Sequence, residues 1–246
     1  MYKRRRETSI NISDVPPDVL KLIISYSPKE FLPLSRREIN IANTKKYSID
    51  SKSIFKTIFR NLLNLDVYNC KNVNYKVFGS YNPNLKSLHL GFLKRSDIAV
   101  DNTANVLEYL FSTQVNGKTR IMFPMLQRLQ LFNYIGIKSL SPLIYISSTL
   151  KSLDIRGCTG IEVNEFNVIS TLTSLEELHI GLPVNSEILF NIVTSCTSLS
   201  VLDLSESPIT SNVVDAICTN LTMLSKLKLT KCGFERFYIL IFISEC

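Results

Sequence analysis

Leucine and its aliphatic substitutes recur along this chain in one spelling, L-x-x-L-x-L. The copies are Leu62-x-x-Leu65-x-Val67, Leu85-x-x-Leu88-x-Leu90, Leu126-x-x-Leu129-x-Leu131, Leu150-x-x-Leu153-x-Ile155, Leu175-x-x-Leu178-x-Ile180, Leu199-x-x-Leu202-x-Leu204 and Leu224-x-x-Leu227-x-Leu229. Their starts are separated by 23, 41, 24, 25, 24 and 25 residues. The last positions of each copy alternate, so two apolar side chains point one way and the residues between them the other. That is the period-2 pattern of a half-buried strand. Apolar residues at helical spacing follow the strands, as in Val184–Ile192 and Val213–Ile217, and predict a returning helix.

A strand and a helix repeated in one sense set their strands in parallel, and a single unit cannot bury its own face. All but one of the spacings fall within the range of about 20–29 residues found in leucine-rich repeats. The predicted fold is therefore α/β: a leucine-rich-repeat solenoid with a short helical N-terminal module. Helices about 10 Å wide outside strands about 4.8 Å apart bend such an array into a horseshoe with the parallel sheet on its concave side. Counted from the first leucine, the ninth residues are Cys70, Leu93, Tyr134, Cys158, Pro183, Ser207 and Cys232. The three cysteines point to the cysteine-containing subtype, in which a small polarizable side chain packs under the turn after the strand. Cys196, just ahead of a strand, matches that subtype's other cysteine.

Four regions follow from the pattern. Residues 1–12 are a polar, basic tail and residues 13–60 an F-box-like or capping helical module; the repeats occupy 61–236, and 237–246 is an atypical apolar tail. The long step after Leu85 predicts an insert near 94–121, with a helix at Thr103–Phe111 and a turn-rich polar loop at Gln114–Arg120. At the other end, Phe237–Ile243 is wholly apolar and leaves the last repeat without a polar cap, which reads as a fragment or an altered terminus.

Within 13–60, Asp14 is placed to cap a helix, Pro16 or Pro17 suits its first turn, and Leu20, Ile23 and Ile24 recur at helical spacing up to Pro28. A second helix is expected from Pro28, and a third, Ile54–Leu62, leads into the first strand. Val15-Pro16, the apolar helix, Ser25-Tyr26-Ser27-Pro28-Lys29-Glu30 and Phe31-Leu32-x-Leu34 together resemble the opening of an F-box. The resemblance covers about 25 residues and ends before Ser35-Arg36-Arg37-Glu38, which lacks the cysteine and tryptophan usual in the second half of that box. It implies docking on a Skp-type adaptor and cullin through Val15, Pro16, Leu20, Ile23, Ile24, Phe31, Leu32 and Leu34. The segment is also similar to the first helix of Zyg-type leucine-rich receptors, whose partners are elongin and cullin-2. The remaining alternative is a helical cap over the first repeat, which a solenoid needs in any case. The resemblance implies a substrate-recognition subunit of a cullin-RING ubiquitin ligase; the cap reading implies a leucine-rich scaffold unrelated to ubiquitin.

Composition narrows the chemistry. Hydrophobic residues make up 45% and charged residues 20% of 246, the balance of a folded chain. No run of about 18 apolar residues is present, and the N-terminus lacks the apolar stretch of a secretory signal, so a cytoplasmic or nuclear protein with reduced thiols and no membrane partner is expected. The net charge of +7 gathers at Lys3-Arg4-Arg5-Arg6, Arg36-Arg37 and Lys45-Lys46 without interleaved aromatics, which argues for a solvated terminus over nucleic acid binding. Phosphate-loop, zincin and nucleophile-elbow patterns are absent, as is metal-ligand spacing, so neither an enzyme nor a cofactor is expected. His89 and His179 fall at outward strand positions and are read as solvent-facing. Recognition is assigned to the outward row of the strands. Tyr68, Arg128, Phe132 and Arg156 are the anchors, and Asp154, Glu177 and His179 lie beside them on the same predicted target-binding face.

Overall fold

Every copy of the leucine pattern supplies one strand in the computed structural model, which describes residues 38–40, 63–66, 83–91, 106–115 and 118–233. The tail 1–12, the adaptor-like segment 13–34, the helix expected at 54–62, Tyr68, Cys70 and the apolar tail 237–246 lie outside the described residues. In chain order the strands are β1 (Glu38–Asn40), β2 (Asn64–Asp66), β3 (Ser87–Gly91), β4 (Ser112–Val115), β5 (Lys118–Ile121), β6 (Arg128–Phe132), β7 (Ser152–Asp154), β8 (Glu177–His179), β9 (Val201–Asp203) and β10 (Lys226–Lys228). Among the described residues, eight of them form one parallel sheet in the order β1-β2-β3-β6-β7-β8-β9-β10. The class is thus α/β, built on a parallel sheet whose strands lie beside their neighbours in sequence.

The leucines set the register. Leu65, Leu88, Leu129, Leu153, Leu178, Leu202 and Leu227 pair across successive strands. From Leu65 to Leu202 each is at most 1% exposed, and burying such a side chain contributes about 1.5–3 kcal/mol. The first leucine of each copy, from Leu85 to Leu199, stacks in a second buried row. One carbonyl ahead of each strand accepts two N–H groups from the next copy. Lys86 and Ser87 donate to Leu63 O, Gln127 and Arg128 to Lys86 O, and Lys151 and Ser152 to Gln127 O; Glu176 and Glu177 donate to Lys151 O, and Ser200 and Val201 to Glu176 O. Each copy is thereby tied to the next, with partners 23 to 26 residues apart except across the insert, where they are 41 and 42 apart.

The returning segments differ in kind. Ser186–Ser195 (α2) and Ser211–Asn220 (α3) are α-helices, and α2 packs against α3 on one side and against Val163–Thr171 on the other. Asn185 caps α2, its Oδ1 accepting from Glu187 N at 2.7 Å. Val163–Thr171 and Ser141–Ile146 are 3₁₀ helices instead. The first is rich in asparagine and β-branched residues, and Asn167, Ser170 and Thr171 each donate a side-chain hydrogen bond to the carbonyl three residues back. Those bonds suit the tighter i to i+3 turn and compete with α-helix. The second carries Pro142 in its first turn.

Two segments differ from the sequence reading. Glu38–Asn40, within the stretch expected to be helical, is a strand that pairs in parallel with β2, Ile39 opposite Leu65. The insert also holds more order than a helix and a loop. Val106–Phe111 (α1) lies within the expected helix, but β4 and β5 follow as an antiparallel hairpin, Val115 paired with Lys118. Leu107, Leu110 and Phe111 of α1 are fully buried, and the Phe111 ring meets Phe123 edge-on at 6.2 Å. The insert is thereby anchored to the apolar interior.

Candidate functional site

The sheet has one face packed on the returning segments and one lined by the residues between the leucines. Cross-strand pairing brings side chains from neighbouring copies together on that second face. Along its middle row the order is Asp66, His89, Gln130, Asp154, His179, Asp203 and Lys228. His89 Nδ1 stands 3.2 Å from Asp66 Oδ1.

The centre of the face is organised by Arg156. Its Nε and Nη2 donate to the two oxygens of Asp154, at 3.0 and 2.6 Å. Nη1 reaches across β8 to within 3.9 Å of Asp203 Oδ2. The guanidinium lies 5.7 Å from the centroid of Phe132, a cation–π arrangement. Gly181 makes this reach possible: a Cβ there would sit 2.7 Å from Arg156 Cγ, and its φ of +54° is a conformation glycine adopts without strain. On the other side, Lys228 Nζ donates to Asp203 Oδ2 at 3.3 Å. His179 Nδ1 is buried without a hydrogen-bond partner and stands 4.0 Å from the same oxygen.

The charge states follow from these contacts. The hydrogen bond to Asp154 is the largest influence on Arg156 and raises its pKa above the ordinary guanidinium value, against the opposing effect of burial. For Asp203 burial acts first and upward, but hydrogen bonds from Ser205 and the Lys228 ammonium outweigh it and hold the carboxyl below its ordinary value. Both shifts favour the charged form, of Arg156 and of Asp203.

Of the partner-face residues expected from the sequence, Arg128, Phe132, Asp154, Arg156, Glu177 and His179 do share this face. Their exposure differs from the expectation. The Asp154 side chain is 6% exposed beneath Arg156, which is itself 37% exposed, so the arginine and not the carboxylate is presented at the surface. Ser152 is buried because its Oγ donates to Glu177 Oε2 at 2.8 Å. The two histidines, read as solvent-facing, are mostly covered, at 28% and 24% side-chain exposure. Strands about 4.8 Å apart lay long side chains over short ones from the next copy. Asp203 and Lys228 were not singled out by the sequence reading. The signal available was their row position, one and two strands beyond His179.

Three of the four described cysteines are buried and structural, and Cys218 is exposed. Cys158 Sγ donates to Leu131 O at 2.7 Å and Cys232 Sγ to Leu204 O at 3.3 Å, each tying the turn to the preceding strand. Cys196 Sγ reaches Ile169 O and Leu172 O of the preceding returning segment. Burial pushes the Cys158 and Cys196 thiols up to about 12 and raises Cys232 as well. Among the described residues no group of histidines, cysteines and carboxylates is disposed to hold a metal ion, and no helix is long and apolar enough to cross a membrane. No protein-family model matches the chain, and no curated protein matches it.

Proposed function

We propose that this chain is a leucine-rich-repeat solenoid that binds a target protein on its open sheet face and serves as the substrate-recognition subunit of a cullin-RING ubiquitin ligase in the cytoplasm or nucleus. The observation that carries the binding half is the preorganised Phe132–Arg156–Asp154 cluster at the centre of that face. Arginine and aromatic anchors held rigid before contact lose little entropy on binding. The solenoid reading is supported by one strand per copy, a single register of leucines, and cysteine Sγ bonds that recur at equivalent turns. The ligase half rests on the resemblance of residues 13–34 to an F-box opening or a Zyg-type first helix.

Affinity purification tests it. Tagged protein recovers a Skp-type adaptor, or elongin with cullin-2, and Leu20→Asp with Ile23→Asp abolishes that recovery while the thermal midpoint of the repeats is unchanged. Recovery of neither adaptor sinks the ligase half. For the face, Arg128→Ala with Phe132→Ala should reduce target retention at least tenfold; unchanged retention sinks the partner-face half.

A second reading has one observation in its favour. β1 extends the sheet directly beyond β2, as a capping element does, so the N-terminal module can serve as the cap of a scaffold unrelated to ubiquitin. In that case the double aspartate variant changes stability alone.

A further inference from the structure

The face does not present its carboxylates and its cations alike. Asp154 and Asp203 are buried, at 6% and 3% side-chain exposure, whereas Arg128, Lys226 and Lys228 are exposed and Arg156 lies over the carboxylate it binds. Each buried carboxylate lies beneath a cation that is itself more than a third exposed, Arg156 at 37% and Lys228 at 57%. Arg128 and Lys226 make no ion pair among the described residues. Asp66 and Glu177 are half-buried, so a partner crossing from β6 to β10 meets cations that stand more exposed than the carboxylates between them. We infer that the occupant of this face is an extended acidic segment of another protein, lying across the strands from Arg128 to Lys226 and Lys228. This rests on the partner-face reading proposed above and adds the chemistry of the partner.

The dimensions fit a peptide. Arg128 is on β6 and Lys226 on β10, four strand spacings apart, or about 19 Å. An extended chain crosses that span in about six residues at about 3.3 Å each. Its carboxylates would sit over cations set several ångströms apart, the two ends on Arg128 and the β10 lysines, the middle on the remaining donors of Arg156. Charge-assisted hydrogen bonds of this kind are the strong ones, and the guanidinium is already oriented for them by Asp154 and Phe132. A nucleic acid fits less well. Its closely spaced phosphates would pass over the buried carboxylates as well as the cations, and the face offers no open aromatic platform among the described residues, since Arg156 covers Phe132.

Fluorescence anisotropy on the full chain tests the inference with four labelled probes: an eight-residue peptide alternating Glu and Gly, the same peptide with Gln, the same with Lys, and a twelve-nucleotide single-stranded RNA. The Glu peptide should bind at least tenfold more tightly than the other three. Arg128→Gln with Lys226→Gln and Lys228→Gln should weaken it at least tenfold. Lys3→Gln, Arg4→Gln, Arg5→Gln and Arg6→Gln together remove more charge and should change binding less than twofold, which separates the face from general attraction to a basic protein. Because Lys228 bonds Asp203, the double variant Arg128→Gln, Lys226→Gln is measured too and should weaken binding at least threefold without altering the thermal midpoint. Tighter binding of RNA, equal loss in the tail variant, or no binding of the Glu peptide overturns the inference. Equal binding of the Gln peptide, weakened by the same face substitutions, overturns the charge assignment alone and leaves the partner face standing; no effect of the face substitutions on any probe overturns both.

Discussion

Gly181 permits what Arg156 does. With alanine there, the new methyl group would meet the arginine stem, and the residue would be held at a positive φ that costs roughly 1–2 kcal/mol for any side chain. Gly181→Ala should lower stability by about that amount in urea titration and weaken binding of the acidic probe. At Glu206, φ +72°, and Lys231, φ +61°, the chain accepts that strain without glycine. Their ion pair, Lys231 Nζ to Glu206 Oε1 at 3.1 Å, is exposed and contributes little. Glu206→Gly should therefore leave stability unchanged or raise it by up to about 1 kcal/mol. Asp203 gives a pH signature. Its carboxyl lies below the ordinary 3.8 when folded, so the stability it contributes is present above about pH 4 and lost as pH falls through the lower folded value. Asp203→Asn should be less stable than the parent at pH 7, with the two urea midpoints converging toward pH 2. The thiols give a chemical one. At pH 8 a pKa of about 12 leaves a thiolate fraction on the order of one in ten thousand, so Cys158 and Cys196 should resist iodoacetamide in the folded protein and react in urea, while exposed Cys218 reacts in both. Peptide mapping by mass spectrometry distinguishes these outcomes.

The strands were legible in the sequence because leucine spacing encodes both their face and their register. Leu178 shows the energetic side of the same fact. It is fully buried between Leu153 and Leu202, and Leu178→Ala should cost about 2–5 kcal/mol by urea denaturation. The returning segments were legible only as apolar spacing, which α and 3₁₀ helices share; the side-chain bonds of Asn167, Ser170 and Thr171 choose between them. The hairpin β4–β5 was hidden by reading Gln114–Arg120 as a loop, although Asn116-Gly117 between Val115 and Lys118 is the spelling of a two-residue hairpin turn. β1 has a single apolar residue, Ile39, and carries no leucine pattern, so only its pairing reveals it. The burial of Ser152 and Asp154 was not legible for a different reason. It depends on Glu177 and Arg156, and on which long side chain leans over which short one, a matter that spacing does not specify.

At the scale of the whole molecule, the parallel sheet divides the chain into a packed side and an open side, and the functional proposals fall on the open side and on residues 13–34. The basic charge of +7 has two separate meanings in this picture: a run at Lys3–Arg6, outside the described residues, and a set of cations laid over buried carboxylates on the sheet. Raising salt from about 50 to 500 mM should weaken the acidic probe strongly while shifting the thermal midpoint little, because the buried pairs are screened far less than the exposed cations. A midpoint that falls as steeply as the affinity would contradict that division.

The shared carbonyls ahead of the strands bear on how such a chain can change length. Removing residues 175–198 would join Ser174 to Leu199 and offer Lys151 O the N–H groups of Ser200 and Val201 in place of those it now receives, so the backbone could close over the cut. The side chains would not. β8 is the spacer that holds Asp154 and Asp203 about 9.6 Å apart, and its loss would bring two buried anions to adjacent strands with Arg156 between them. Duplication or loss of a unit is thus limited here by charge spacing and not by hydrogen bonding, and the shortened chain should regain stability when Asp203→Asn is added.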